Sequence, residues 1–250
     1  MLEPADLGPG ARGGFTTRAG GVSCGPYAAA DGSGGLNLAF HVDDDEDRVI
    51  ANRDLLDRWA GHHVAWMSQR HSARVRVVTR PPGRGRSTLG EYDALVGRRS
   101  GPGAPAVAVM VADCVPLLLA TPDGGLVAAV HVGRQGLADG VVPATLATLA
   151  GEGAAVPDLY ASLGPSICGR CYEVPAALRE EVAAVVSSAS TTTAWGTPAL
   201  DIPAGVLSQL TAAGVRRVQR LEACTREDER FYSFRRDGRT GRFVGVVRPA

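Results

Sequence analysis

A cysteine and a histidine stand at the two far ends of a predicted β-hairpin. The stretch VADCVPLLLATPDGGLVAAVHVGRQG contains two apolar runs joined by a Pro/Gly turn, with Cys114 before the first run and His131 near the end of the second. Because a hairpin brings its far ends together, we expect these two side chains to meet. A thiolate and an imidazole make half of a zinc site, which needs a third ligand.

The chain has five histidines, and we expect one of the four besides His131 to be the third ligand. In AWMSQRHSARV, polar residues around His71 interrupt a strand pattern, as happens where a strand end or a bulge presents a side chain. We therefore expect His71 to be the third ligand. His62 and His63 follow a predicted helix, where histidines commonly interact with the helix dipole. From spacing alone, packing in the core is the commoner role for a Cys and a His on strand ends, so it stays open as the alternative.

Composition restricts the class of protein. With 250 residues and 45% hydrophobic content, the chain can bury a large core, and no linker or repeat divides it, so we expect residues 1–250 to form one domain. The 26 basic and 26 acidic residues cancel, which argues against nucleic acid or an anionic membrane as partner. Every basic residue is arginine, which excludes a Schiff-base lysine and a P-loop lysine.

The cysteines and the N-terminal stretch indicate the compartment. The opening MLEPADLGPGARGG lacks the apolar core of a signal peptide, and no window reaches the length of a membrane helix, so we expect a cytoplasmic protein. Five cysteines, an odd number, fit a reducing compartment better than a disulfide framework. The pair Cys168 and Cys171 in CGRC is not followed by a second such pair, and Cys224 stands alone. We therefore interpret Cys168 and Cys171 as buried side chains that pack in the interior.

Predicted strands and helices alternate along the chain, which indicates a mixed α/β class. The acidic stretch from residue 43 opens an amphipathic helix that ends at Gly61. Val-rich and alternating runs bounded by Gly and Pro predict strands, including one over residues 64–79. Residues 230–247 are predicted as a hairpin around Asp237 and Gly238.

Six blocks in order make the chain resemble the laccase-domain, or polyphenol oxidase-like, family. Its members, once called multicopper oxidases, are now regarded as purine nucleoside phosphorylases with additional adenosine deaminase activity. The blocks are GGVSCGPY with GGLNLAFHVDDD, WMSQRH with YDALV, VADCVPLLL, AAVHVGRQG, GPSICGRCYEV, and CTREDERFYSFRRDGRTGR. The resemblance implies that His71, Cys114 and His131 hold a catalytic zinc. It also implies a single-domain layered α/β/β/α sandwich of the YfiH-like type.

The implied reaction is zinc-dependent phosphorolysis of inosine, adenosine and methylthioadenosine, with adenosine deamination as a second activity. Purine nucleosides and phosphate are the expected partners of a monomer or homodimer. Phosphorolysis needs an anion-binding group, for which Arg70 beside His71 and Arg235 in FYSFRRDG are candidates. Each has a solvated or ion-paired surface arginine as its alternative. Asn37 could hydrogen-bond a substrate, although an Asn between leucines can also hold a turn.

The sequence argues against one alternative function and is compatible with two others. A true multicopper oxidase needs about ten histidines, more than the five present. A metal-free cysteine hydrolase using Cys114 as nucleophile and His131 as base fits the same two residues. A non-catalytic nucleoside-binding protein is the third alternative, because HAGWRG, usual in the family, reads HVGRQG here, with Arg134 and Gln135 in the Trp and Arg positions.

Overall fold

The computed structural model describes residues 2–80, 88–100 and 105–250, which form strands and helices in alternation. The helices are α1 (Glu46–Ala60), α2 (Arg134–Ala138), α3 (Val141–Gly151), α4 (Ala176–Val185), α5 (Ile202–Ala212) and α6 (Phe234–Asp237). The strands are β1 (Leu2–Pro4), β2 (Ala11–Thr16), β3 (Ala19–Ser23), β4 (Val75–Val78), β5 (Ala94–Arg98), β6 (Val107–Val111), β7 (Val115–Ala120), β8 (Leu126–Val132), β9 (Tyr160–Leu163), β10 (Ser190–Thr192), β11 (Pro198–Leu200), β12 (Arg217–Arg220) and β13 (Phe243–Pro249).

Two main sheets organise these strands. The smaller is antiparallel with the order β1-β2-β13-β6, so the last strand of the chain lies between strands from its beginning and middle. The larger has the order β12-β9-β7-β8-β5-β4, with parallel pairing of β12 to β9 and of β4 to β5 and antiparallel pairing elsewhere. Strands β10 and β11 form a separate antiparallel pair.

Three apolar cores separate four layers. One core, which includes Leu56 of α1 and Val244 of β13, fills the space between α1 and the smaller sheet. The next lies between the sheets and includes Phe15 of β2 and Leu118 of β7. The third joins the larger sheet to helices α2 to α5. This order confirms the predicted α/β/β/α sandwich.

The hairpin predicted from residues 111–136 is present as β7 and β8. The two strands pair antiparallel in the register Val115↔Val132, and the turn between them closes through a hydrogen bond from Gly124 N to Thr121 O. Both strands are buried on both faces, because one face packs on helices and the other on the smaller sheet. This explains why they read as continuous apolar runs rather than alternating ones.

The helix predicted to end at Gly61 is also confirmed. The carboxylate of Asp45 caps α1 by accepting from the backbone N–H groups of Asp47 and Arg48. Gly61 ends it in the left-handed conformation at φ 80°. None of the helices among the described residues combines the length and the apolar content that a membrane crossing requires.

Two secondary-structure predictions are wrong. Residues 64–79 do not form one strand: β4 begins only at Val75, and the preceding residues make isolated bridges before the chain turns. The predicted hairpin around Asp237 is instead the short helix α6 followed by β13. The Ser233 hydroxyl accepts from Arg236 N and caps that helix, a local bond that competes with hairpin pairing.

Candidate metal and active site

The β7–β8 hairpin places Cys114 and His131 together at one end of the larger sheet. His131 is on β8, and Cys114 directly precedes β7, one residue before the pair Val115↔Val132. Alternate residues of a strand share a face, so Cys114 lies on the same face as Leu118 and contacts the core between the sheets. His131 alternates with Val130 and Val132, which face the helices, and therefore points toward the same side as Cys114.

A buried carboxylate brings His71 to the same place. Asp93 is fully buried and accepts from the backbone N–H groups of Arg70, His71 and Ser72, with the His71 N–H at 2.9 Å. The Ser72 hydroxyl donates to it as well, at 2.7 Å. The chain wraps so tightly around this carboxylate that His71 adopts φ 60°, the left-handed region. The polar residues around His71 that interrupt the strand pattern therefore form a loop around the Asp93 carboxylate.

The three predicted ligands converge. The nitrogen and sulfur atoms that His71, Cys114 and His131 could offer to a metal all lie within 4.8 Å of one another. His71 Nε2 is 3.7 Å from Cys114 Sγ. A tetrahedral zinc with bonds of about 2.0 Å to nitrogen and 2.3 Å to sulfur would separate two such atoms by roughly 3.5 Å. Two imidazoles and a thiolate also form a donor set that suits zinc, so the residues present fit a zinc ion.

Asp93 also orients His131. His131 Nδ1 lies 2.8 Å from the Asp93 carboxylate, which leaves Nε2 facing Cys114 and His71. A carboxylate behind a histidine in this way is a common arrangement around metal-ligating imidazoles, where it fixes the ring and raises its basicity. One carboxylate thus positions two of the three candidate ligands.

The electrostatics of the site favour charged forms. Burial alone would raise the pKa of the Cys114 thiol, but the charge and hydrogen bond of His131, with His71, lower it to about 6. Burial alone would lower the pKa of His131, yet Cys114 and Asp93 raise it to about 9. Burial likewise opposes ionisation of Asp93, but hydrogen bonds from His131 and Ser72 hold its pKa well below the usual range. Without a metal, the pair is a thiolate and an imidazolium at pH 7.

A second carboxylate fixes the loop that carries Cys114. Asp113 has φ 95°, and its carboxylate accepts from the hydroxyls of Thr225 and Ser233 at 2.6 Å each and from Arg235 N at 2.7 Å. Its carbonyl accepts from Ile167 N. Asp113 therefore points away from the Cys114 side chain and ties the loop to the C-terminal part of the chain.

The three ligands line a cavity of about 620 Å³. Besides them, its walls include Phe40, His41, Arg53, Arg70, Met110, Phe234 and Arg242. Part of this wall is apolar or aromatic and part is cationic, which is the combination expected of a pocket for a small organic molecule with an anionic partner.

The predicted substrate-binding residues occupy different places. Arg70 lines the cavity, and its guanidinium pairs with Glu91 at 2.9 Å. Asn37 is fully buried, and its amide group bonds Asp44 Oδ2, Ala39 and Arg242 N, so it holds backbone rather than facing the cavity. Arg235 lies apart from the cavity, where its guanidinium donates to Glu173 O.

Three residues at the site were not predicted from the sequence: Asp93, Phe234 and Arg242. Asp93 opens the apolar run of YDALV, and a carboxylate directly before a buried strand was the available signal. Arg242 stands in the TGRF segment, far along the chain from the ligands, and only the central position of β13 brings it to the cavity. Arg134 and Gln135, which depart from the family's usual block, do not line the described part of this cavity.

Gly133 gives a direct test of the cluster. A Cβ added there would lie 2.4 Å from His71 Cδ2, 2.9 Å from His71 Nε2 and 3.2 Å from Cys114 Sγ. We predict that Gly133→Ala displaces the His71 ring and weakens zinc binding by about 10-fold or more, the size of effect seen when ligand orientation is disturbed. Competition with a chromophoric chelator measures the affinity.

The matched control is Gly151→Ala, at the end of α3, where an added Cβ meets nothing within 4 Å. It should bind zinc like the unmodified protein. Unchanged zinc affinity in Gly133→Ala, with a cooperative thermal transition, would contradict placement of the metal between these side chains.

Known proteins match nearly the whole chain in sequence. Residues 12–249 match the family model described as multi-copper polyphenol oxidoreductase laccase. A protein of Streptomyces coelicolor named purine nucleoside phosphorylase is 46% identical over 250 residues, covering 99% of each chain. Another of that name from Streptomyces griseus is 44% identical over 236 residues, covering 93% of this chain and 92% of its own.

Solved structures share the fold. YlmD from Geobacillus stearothermophilus superimposes with a TM-score of 0.85 at 30% identity, covering 98% of this chain and 94% of its own. A Neisseria meningitidis protein gives 0.84 at 31% identity, covering 99% and 98%. The resemblance drawn from six sequence blocks is confirmed by these matches. The chain belongs to the family described as multi-copper polyphenol oxidoreductase laccase.

Proposed function

We propose that this protein is a zinc-dependent purine nucleoside phosphorylase of the cytoplasm. Its proposed substrates are inosine, adenosine and methylthioadenosine together with phosphate. The observation that carries the proposal is the cavity of about 620 Å³, which has the His71, Cys114 and His131 cluster and the guanidinium of Arg242 on its wall. Relatives 46% and 44% identical that bear the name purine nucleoside phosphorylase support it.

The candidate ligands support zinc rather than the copper of the family description. His71, Cys114 and His131 would hold the ion, and a zinc held by three protein ligands would supply a Lewis acid for a water or a substrate oxygen. The blue and trinuclear copper centres of a multicopper oxidase need about ten histidines. The chain has five, of which His62 and His63 line a different cavity beside Asp57.

Arg242 is the proposed binding group for phosphate. Its guanidinium donates to Thr240 O and Gly241 O, and within residues 2–80, 88–100 and 105–250 no carboxylate lies within 4.0 Å of it. Burial lowers its pKa from the usual value, although not enough to remove the charge of a guanidinium at pH 7. A half-buried cation without a carboxylate partner, facing a cavity, attracts an anion.

The base and sugar of a nucleoside have suitable surfaces on the same wall. Phe234 is 59% exposed and lines the cavity, so its ring is open to stacking by a purine. Burial, with the charges of Arg242 and Arg53, lowers the pKa of His41, which is therefore neutral at pH 7 and able to donate or accept a hydrogen bond. In phosphorolysis a phosphate oxygen bonds to C1′ of the ribose while the bond from C1′ to the base breaks, so anion and base must be held together.

We expect purified protein to release hypoxanthine from inosine only when phosphate is present, with ribose 1-phosphate as the second product. The reason is that phosphate is the nucleophile, so its removal stops the reaction. Chromatography of the products with and without phosphate measures this. Equal release without phosphate would identify a hydrolase, and no release from any of the three nucleosides would favour a binding protein. Inosine formed from adenosine reports the proposed deaminase activity.

Replacing the proposed anion-binding residue should act mainly on phosphate. We predict that Arg242→Gln raises the KM for phosphate by about 10- to 100-fold, the loss expected for a charge-assisted hydrogen bond, with a smaller change in the KM for inosine. Arg242→Lys should recover part of the loss. The control is Arg216→Gln, an exposed arginine paired with Asp158 and remote from the cavity. A wild-type KM for phosphate in Arg242→Gln would place the anion elsewhere.

One observation favours a second candidate function, a metal-free cysteine hydrolase. The pKa of Cys114 near 6 and that of His131 near 9 describe the thiolate and imidazolium pair on which such enzymes depend. In this function the Cys114 thiolate attacks a substrate carbonyl and His131 donates a proton to the leaving group. Removing the metal should abolish activity if the protein is the zinc-dependent phosphorylase and leave activity intact if it is the cysteine hydrolase.

A further inference from the structure

A second cluster of metal-ligating side chains lies outside the cavity described above. Cys168, Cys171, Cys224 and Glu227 present three sulfur atoms and a carboxylate oxygen that all lie within 4.8 Å of one another. Cys168 and Cys171 come from the turn before α4, and the other two come from the segment between β12 and α6. The sequence interpretation of CGRC as packing, with Cys224 alone, did not foresee this meeting.

The two segments form the same turn. In the first, the backbone N–H groups of Cys171 and Tyr172 both donate to Cys168 O, at 2.9 and 3.0 Å. In the second, those of Glu227 and Asp228 both donate to Cys224 O, at 3.0 and 2.8 Å. Each turn therefore begins with a cysteine and presents its second ligand three residues later. Paired turns with ligands at this spacing are the usual frame of a structural zinc site.

The backbone holds the two turns side by side. Ser166 forms a parallel bridge with Cys224, through hydrogen bonds from Ser166 N to Ala223 O and from Thr225 N to Ser166 O. Across the gap, Cys168 N donates to Cys224 Sγ at 3.4 Å. A backbone N–H directed at sulfur stabilises a thiolate, as do the outer hydrogen bonds around many metal ligands. The four side chains are thus positioned before any ion binds.

Glu227 divides its two oxygens between the cluster and solvent. Oε1 lies 3.4 Å from Cys171 Sγ, whereas Oε2 lies 3.7 Å from the guanidinium of Arg170. Arg170 has a side chain that is 72% exposed, so it can stay with Oε2 or move away when a cation binds. A cleft of about 370 Å³ reaches Cys168, Cys224 and Glu227 from the surface and provides an entry path.

Two other roles for these cysteines fit less well. Reactive Cys-x-x-Cys pairs have a thiol of lowered pKa at a helix N-terminus, but here α4 begins only at Ala176. Simple packing does not account for a carboxylate directed at the thiols or for a polar cleft above them.

We propose that Cys168, Cys171, Cys224 and Glu227 bind a second zinc ion in a closed, four-ligand structural site. A tetrahedral zinc with bonds of about 2.3 Å to sulfur would place its sulfur ligands roughly 3.8 Å apart, so the cluster needs to contract by about 1 Å or less. Binding releases the thiol protons to solvent, and no ligand position remains for substrate.

The site would stabilise the segment that positions Cys114. Thr225 directly follows Cys224, and its hydroxyl donates to the Asp113 carboxylate at 2.6 Å. Ile167, which directly precedes Cys168, donates its N–H to Asp113 O. Both turns of the second site therefore contact the residue next to Cys114. Loss of the second zinc should lower the thermal unfolding temperature while the first site keeps its metal.

Metal analysis of protein purified without chelator tests the proposal. We expect two zinc ions per chain, one for each cluster. His71→Ala and the double variant Cys168→Ser/Cys171→Ser should each contain one, and combining them should leave none. The matched control is Cys24→Ser, which removes an exposed cysteine outside both clusters and should keep two. Two zinc ions retained in the double serine variant, or none left in His71→Ala, would overturn the proposal.

A measurement on the unmodified chain covers the case in which the serine variant fails to fold. Cobalt added to metal-free protein should give a thiolate-to-cobalt charge-transfer band about four times as intense as that of the first site alone, because three thiolates join one. Alkylation read by mass spectrometry should find Cys168, Cys171 and Cys224 protected by metal and labelled after chelation. A disulfide between any two of these cysteines in freshly purified protein, or labelling that metal does not change, would refute the second site.

Discussion

The Asp93 carboxylate holds both histidines of the candidate metal site. It accepts from three consecutive backbone N–H groups, from the Ser72 hydroxyl and from His131 Nδ1, all in a fully buried position. A left-handed conformation at a non-glycine residue such as His71 costs about 1–3 kcal/mol. Hydrogen bonds to a charged group contribute roughly 1.5–3 kcal/mol each, so this carboxylate offsets the cost of the loop that presents His71.

Asp113 fixes the position of Cys114 in a similar way. Its carboxylate receives bonds from Thr225, Ser233 and Arg235, so the loop before β7 is fixed by a segment more than a hundred residues later. Gly133 leaves the space into which the His71 ring and the Cys114 sulfur project. The candidate site thus depends on the carboxylates of Asp93 and Asp113 and on the space that Gly133 leaves because glycine has no side chain. The register of the strands brings these three residues together.

Local patterns sufficed to predict the parts of the site that lie within one element. The β7–β8 hairpin and the common face of Cys114 and His131 follow from apolar runs and strand alternation over residues 111–136. The loop around Asp93 could not be derived this way, because its conformation depends on a carboxylate 22 residues beyond His71. Arg242 and the second cysteine cluster depend on pairing between distant segments, which spacing in a single sequence does not reveal. Asn37 has the polarity of a ligand-binding residue, yet its partners are backbone and Asp44.

Labelling of Cys114 with and without chelator, measured together with inosine turnover, tests the central claim that the cavity holds a catalytic metal. A bound zinc should protect the Cys114 peptide from alkylation. Chelation should expose a thiol that reacts readily at pH 7, since its pKa without metal is about 6, while turnover is lost and returns with added zinc. Undiminished turnover in protein verified to be free of zinc, with Cys114 as its most reactive thiol, would contradict the account and identify a cysteine nucleophile instead.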